Sequence, residues 1–314
     1  MIGNKPLAAD LIKESEPQRK PPRWRRYLLP YGLLLPSLIV FLAVVLYPTF
    51  ETVRMSFYNV QLTATDAPFV GLQNYRAILS SSLLKQVIVN SIVWTVGSVS
   101  LQFLIGFSLA LALDRLGRTG DYLRGFLLLS WVMPGIVIAF IWRFMLSPDW
   151  GVINWSLIQL GLIDDGIAWL SRGNTAMLSV IVANAWKGFP FWMVMLSAGL
   201  KSINKDIYDS AAVDGATGLR LIWYIIIPLI RFPLFVTSTL TFIWTFNYFD
   251  LIFGMTGGGP LDATRNVPLY IYDTAFTSYR MGHASAASVL LIVVMSFLVI
   301  GYARLLRIQG EETP

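Results

Sequence analysis

Six apolar runs, at residues 28–48, 87–113, 125–146, 176–200, 229–253 and 284–303, are each about as long as a helix needs to be to cross a bilayer core of roughly 30 Å. A spanning segment finds no water to satisfy its backbone, so only helices or a closed barrel will serve. These runs are continuously apolar rather than alternating, which selects helices. The composition agrees, with 55% hydrophobic and 13% charged residues and a mean hydropathy of +0.62. A soluble globule of 314 residues could not cover itself with so few charges. The expected fold class is an all-α membrane protein with six transmembrane helices. A basic N-terminal segment (1–27) precedes the membrane domain (28–303), and a short tail (304–314) follows it. The first run follows about 27 polar residues and has no small-residue cleavage site, so it reads as an uncleaved anchor rather than a signal peptide.

Charge gives the expected orientation. With both termini inside, segments 1–27, 114–124, 201–228 and 304–314 carry 15 Lys and Arg in 77 residues, against 6 in 97 for segments 49–86, 147–175 and 254–283. That bias fits the positive-inside rule, with N and C termini in the cytoplasm. It also accounts for the net charge of +6 without nucleic acid. The cluster Arg23, Arg25 and Arg26 beside Trp24 and Tyr27 suits an interfacial anchor on anionic lipid. The absence of cysteine excludes thiolate metal sites and cysteine nucleophiles, and the single histidine, His283, excludes His-cluster metal sites. No Gly-Lys dipeptide occurs, so the chain has no Walker A phosphate loop.

The loops carry three motifs. Phe69-Val70-Gly71-Leu72-Gln73-Asn74-Tyr75 mixes apolar and polar residues as an amphipathic lip would. Met255-Thr256-Gly257-Gly258-Gly259-Pro260 is a shaped turn, its glycines giving access to positive φ. The most informative loop is 201–228. There Asn204 is placed as an N-cap, Asp206 and Asp209 suit the positive end of a helix, and Gly215 suits a left-handed stop. Ile207, Tyr208, Ala211 and Ala212 give that short helix one slim apolar face. A second stretch places Leu219, Ile222, Trp223 and Ile226 on one face, and Pro228 breaks the pattern before the fifth run. Such a helix–turn–helix fits a groove on a partner protein, or lies in the lipid headgroups as a connector.

Asp209-Ser210-Ala211-Ala212-Val213-Asp214-Gly215-Ala216, followed by Pro228, resembles the EAA loop of ABC-importer permeases, with Asp for Glu and Ser for the first Ala. The Thr-Gly-Gly-Gly-Pro turn and the Phe-Val-Gly-Leu-x-Asn-Tyr segment resemble the carbohydrate branch, the maltose and glycerol-phosphate type. The resemblance covers essentially the whole chain and implies the type I ABC importer permease fold. It implies a bacterial inner-membrane complex with a second homologous permease subunit, two ATP-binding subunits and an extracytoplasmic solute-binding protein that delivers a sugar. ATP and Mg would be bound by the partner ATPase, leaving this chain non-catalytic and without cofactor. The helix 205–213 would be the cytoplasmic coupling element, with Tyr208, Asp209, Ala211, Ala212, Asp214 and Gly215 at the ATPase contact.

Ionisable residues inside apolar runs mark functional sites. Lys187 lies in Trp186-Lys187-Gly188-Phe189-Pro190-Phe191, and Asp250 ends Trp244-Thr245-Phe246-Asn247-Tyr248-Phe249-Asp250. Gly188 and Pro190 are expected to interrupt the fourth helix, and Asn247 and Asp250 to share one face of the fifth. Aromatic platforms with hydrogen-bonding side chains suit a sugar ring. These stretches resemble those that touch substrate in maltose-type permeases, which implies substrate contacts at Lys187, Gly188, Phe191, Phe246, Asn247 and Asp250. Lys187 could instead pair with Asp250, or meet an anionic group (phosphate, sulfonate or carboxylate) on a sugar derivative. An ion-coupled secondary transporter is the rival reading, but no internal repeat supports it and the 201–228 loop would have no role in it. A membrane-embedded enzyme would need a cluster of acids, histidines or a metal set, which is missing from the sequence.

Overall fold

A computed structural model describes residues 23–310, with side chains described for 31–301 and for Arg304. The expected lipid anchor at Arg23–Tyr27 and most of both terminal segments lie outside the described side chains. The chain divides into two compact units, Met1–Glu51 and Thr52–Pro314. Most of α1 (Tyr31–Met55) belongs to the first. It contains a π turn at Leu42–Leu46 and is apolar along most of its length.

The second unit is helical, with no strand among the described residues and one isolated bridge between Tyr58 and Phe69. A short helix, α2 (Gln73–Leu79), precedes the long α3 (Ser82–Asp114). The third apolar run is a bent pair, α4 (Arg118–Val132) and α5 (Gly135–Met145). After α6 (Val152–Gln159) come α7 (Gly173–Lys201) and the short α8 (Lys205–Val213). A second bent pair follows, α9 (Leu219–Leu229) in the 201–228 loop and α10 (Arg231–Phe246) in the fifth run. Then follow α11 (Asp250–Met255), α12 (Val267–Tyr272) and α13 (Met281–Gly310).

α3 and α7 form the central crossing. A Cβ on Gly106 would stand 2.5 Å from Trp192 Cβ and 2.7 Å from the Phe189 carbonyl, so the two backbones approach where only glycine fits. Ser91, Thr95, Ser98 and Gln102 recur every three or four residues and are all buried, forming a polar stripe along one side of α3. Trp94 pins this helix to α10 by donating its indole N–H to the Thr245 carbonyl at 2.9 Å.

Three sequence expectations change. The third run is not straight: it bends by 94°, whereas the 78° bend between α9 and α10 falls beside Pro228, where a break before the fifth run was expected. At the first bend Pro134 lacks an N–H and holds Met133 in an extended conformation (ψ 138°). At the second, Ile230 leaves the helical region (φ −96°, ψ 15°), two residues beyond Pro228. Conversely α7 runs unbroken through Gly188 and Pro190, because neighbouring helices can compensate the one backbone bond a membrane proline removes. Finally, α10 ends at Phe246 and α11 restarts at Asp250, so Asn247 and Asp250 do not share a helical face. The Asn247 amide caps the break by donating to the Ile243 carbonyl at 2.8 Å.

The loop motifs are structural. Asn74, 2% exposed, donates to the carbonyls of Ser56 and Tyr58 at 2.9 Å each, and Tyr75 shares a 2.6 Å hydrogen bond with Ser56. The expected lip is therefore a clasp in which only Phe69 and Leu72 present large apolar surface outward. In the glycine turn Gly257 and Gly258 take positive φ (59° and 88°), and the Thr256 and Thr264 hydroxyls meet at 2.7 Å across it. Beyond it Arg265 bridges Asp262 at 2.7 Å and Asp273 at 3.1 Å. Burial pushes the Asp273 carboxyl above its ordinary range, Arg265 opposes that, and Asp262 adds to it.

Candidate substrate cleft and coupling helix

A small cleft of about 70 Å³ lies among α3, α4, α7 and the end of α10. Gln102 enters from α3, Trp131 from α4, and Asn184, Lys187, Gly188 and Phe191 from α7. Thr241, Trp244 and Thr245 come from α10, and Tyr248 from the break after it. Three rings build a wall: Trp131 stacks on Phe191 (centroids 5.7 Å, 18° between planes), and Phe191 meets Trp244 at 5.0 Å. Gly188 lies close against α3, since a Cβ there would meet the end of the Gln102 side chain and make it shift. Gln102 is fixed in turn by donating to the Asn184 carbonyl at 3.2 Å.

The polar groups are mostly donors. Lys187 Nζ donates to the Trp131 carbonyl at 3.4 Å and stands 5.6 Å from the centre of the Tyr248 ring, a cation–π distance. No carboxylate among the described residues lies within ion-pair distance of it. The Asn184 side-chain amide nitrogen and the Tyr248 hydroxyl are buried without a hydrogen-bond partner. Buried polar groups are normally paired, so orphaned donors lining a cleft suit a ligand or water that supplies acceptors.

Of the sequence candidates, the structure brings Lys187, Gly188 and Phe191 together in this cleft. Phe246 points elsewhere, buried in a cluster with Val87, Val267 and Tyr270. Asn247 is exposed at the helix cap, and Asp250 is exposed in the first turn of α11. Sequence reasoning missed Gln102, Trp131, Asn184 and Tyr248. For Gln102 and Asn184 a signal existed, a polar amide inside an apolar run. A larger groove of about 310 Å³, lined by Val99, Phe242, Ile243, Met295 and Leu298, has only Ser238 and Thr239 as polar groups and does not suit a polyhydroxylated ligand.

At the loop end of the bundle α8 forms as its local chemistry requires. The Asn204 side chain accepts from the Asp206 N–H at 3.1 Å, and Gly215 (φ 73°) ends the helix while Ala216 N–H bonds back to the Ala211 carbonyl at 2.8 Å. Ala211 is 3% exposed. Half-buried Tyr208 packs on the cluster formed by Phe107, Leu200 and Ile230. Burial, and then the nearby Asp114 carboxylate, push the Tyr208 phenol above its ordinary value of 10.0. Asp209, Ala212, Asp214 and Gly215 face outward, as does Val213, which is 88% exposed. The face expected on α9 divides: Ile226 is buried, whereas Leu219 and Trp223 are exposed. Between α8 and α9 runs an open groove of about 480 Å³ lined by Ile207, Ser210, Ala211, Tyr224 and Pro228.

These features define a polytopic permease with a polar, aromatic cleft inside its bundle and a small capped helix at one end. The family of binding-protein-dependent transport system inner membrane components matches residues 102–308, and the chain belongs to it. It is 33% identical over 282 residues to the trehalose/maltose transport system permease protein of Thermococcus litoralis, covering 88% of this chain and 94% of that one. It is 32% identical over 274 residues to the sn-glycerol-3-phosphate transport system permease protein of Brucella suis, covering 85% and 91%. Its fold matches that of a bacterial ABC transporter involved in the import of the acidic polysaccharide alginate, with a TM-score of 0.79 at 24% identity over 92% of this chain and 98% of the other. The fold is that of the type I ABC importer permeases.

Proposed function

We propose that this chain is one permease subunit of an ATP-driven importer, and that a sugar or sugar derivative passes through the Lys187–Tyr248 cleft. The observation that carries the reading is the cleft itself. It sets three aromatic rings against unpaired donors inside a membrane bundle, which is what a sugar with apolar ring faces and a hydroxyl rim requires. The family name supplies dependence on a solute-binding protein, and the relatives' names supply the carbohydrate class. A second homologous permease completes the pathway, and two ATP-binding subunits, which hold ATP and Mg, meet the outward residues of α8. Both termini lie in the cytoplasm, and so does α8. The family match favours this reading over an ion-coupled secondary transporter.

Uptake of labelled sugars into proteoliposomes, by wild type and Trp244→Ala, tests the cleft. Loss of uptake with an intact complex is expected, whereas unchanged uptake removes the cleft from the pathway. Because Lys187 is in no direct ion pair, with Asp250 acting on it only at longer range, an anionic sugar derivative is the finer reading. In Lys187→Met, selective loss of charged solutes supports it, and equal loss of charged and neutral solutes removes it.

A further inference from the structure

Away from the cleft, charged groups gather where α4 meets the ends of α3 and α7. Arg124 on α4 is 9% exposed. Its Nη1 donates to Asp121 Oδ1 at 2.5 Å, and its Nη2 stands 3.9 Å from Asp114 at the end of α3. Lys201, the last residue of α7, reaches the same Asp121 oxygen at 3.4 Å. Arg124 Nε and Nη2 are buried with no hydrogen-bond partner, so the guanidinium is held in place with donors to spare. The approach of α4 to α3 is tight, since a Cβ on Gly120 would meet the Leu113 carbonyl at 2.2 Å.

Two structural connections lead away from this cluster. Lys201 precedes α8 by three residues, and Tyr208 of α8 lies within electrostatic range of Asp114. In the other direction α4 runs through a single turn residue, Leu128, to its bend, and near its far end Trp131 gives its carbonyl to Lys187 and its ring to Phe191. About 10 Å of helix therefore joins Arg124 to the cleft wall.

We propose that Arg124 is a positioning residue that makes α4 and α8 move as one body, so that displacement of α8 is delivered to Trp131 at the cleft. This rests on α8 being the ATPase contact. The exposed Asp121–Lys201 pair contributes little stability by itself and serves to hold register. Arg124, buried and forked, is the part that cannot be replaced by a point charge.

The test uses the assembled importer in nanodiscs, with spin labels on Tyr122→Cys (α4, 82% exposed) and Lys205→Cys (exposed at the start of α8) in this cysteine-free chain. Their separation should hold within about 2 Å between nucleotide-free and ATP-trapped states, the scale of a small helix adjustment, and should shift by more than that in Arg124→Gln. Solute moved per ATP should fall roughly tenfold in Arg124→Gln, within the range of couplings between distant sites, with the ATPase subunits still bound. Arg124→Lys should recover only part of that loss. A label separation that changes by roughly 5 Å or more in otherwise unaltered protein overturns the proposal, as does wild-type coupling in Arg124→Gln. Where Arg124→Gln fails to assemble, the distance in the unaltered background decides alone. Gly215→Pro run in parallel separates the two levels. Normal coupling there removes the reading of α8, whereas uncoupling there with normal coupling in Arg124→Gln removes only the role of Arg124.

Discussion

The straight helices α3 and α7 and the bent pairs α4–α5 and α9–α10 solve different problems with the same apolar alphabet. The straight pair is held by a buried polar stripe and by the close approach of the two backbones at Gly106, where a side chain would clash. The bent pairs break at Met133–Pro134 and Ile230 and carry the aromatic walls Trp131 and Trp244. On the proposed mechanism the straight pair would serve as frame and the bent pairs as moving wall, the difference lying in where the backbone was allowed to bend.

Substitutions should separate the two. Gly106→Val overpacks the α3–α7 crossing and should cost about 1–3 kcal/mol, read as a lower melting temperature in detergent. Pro134→Ala should instead leave the melting temperature nearly unchanged and remove most solute transport, because it relaxes the constraint behind the 94° bend. If Pro134→Ala melts early and Gly106→Val transports normally, the division between frame and wall is wrong. Gly215→Ala forces a side chain into φ 73° and should cost about 1–2 kcal/mol locally. Faster hydrogen exchange at 211–216, with the bundle unaffected, is the expected signature.

Asn204→Ala removes the cap of α8 and should cost about 1 kcal/mol, seen as fraying confined to the start of that helix. The smallest effect concerns Tyr208. Its raised phenol value means the folded state holds the proton more tightly than the unfolded one. That contribution is complete below pH 10.0 and is lost as pH rises through the folded value. Alkaline unfolding should therefore begin later in Tyr208→Phe. An identical pH profile would show that the phenol's surroundings do not matter to stability.

The same contrast explains what was legible in the sequence. The bounds of α8 follow from Asn204 and Gly215, because capping is decided within a few residues. The apolar runs gave the spans for a similar reason. The second bend was legible at Pro228, but the first was not: Pro190 leaves α7 unbroken while Pro134 breaks its helix, and the outcome depends on neighbours distant in sequence. The misplacement of Asn247 and Asp250 has one cause. A continuous fifth helix was expected, and the break at Asn247 rotates every later residue, whereas Phe246 lies before the break on the face of α10 that packs against Val87. Tyr248 reaches the cleft only because of that break. Gln102 was visible as a polar residue in an apolar run, but its link to Asn184 crosses 82 positions of chain.

The most direct measurement is ATP hydrolysis by the reconstituted complex with its binding protein, across neutral and anionic sugars, comparing wild type with Gly215→Pro. Proline cannot adopt the φ of 73° at this position. Solute-stimulated hydrolysis that Gly215→Pro abolishes is the predicted result and would identify the solute as well. Hydrolysis indifferent to both solute and Gly215 would make α8 a mere connector and contradict the account.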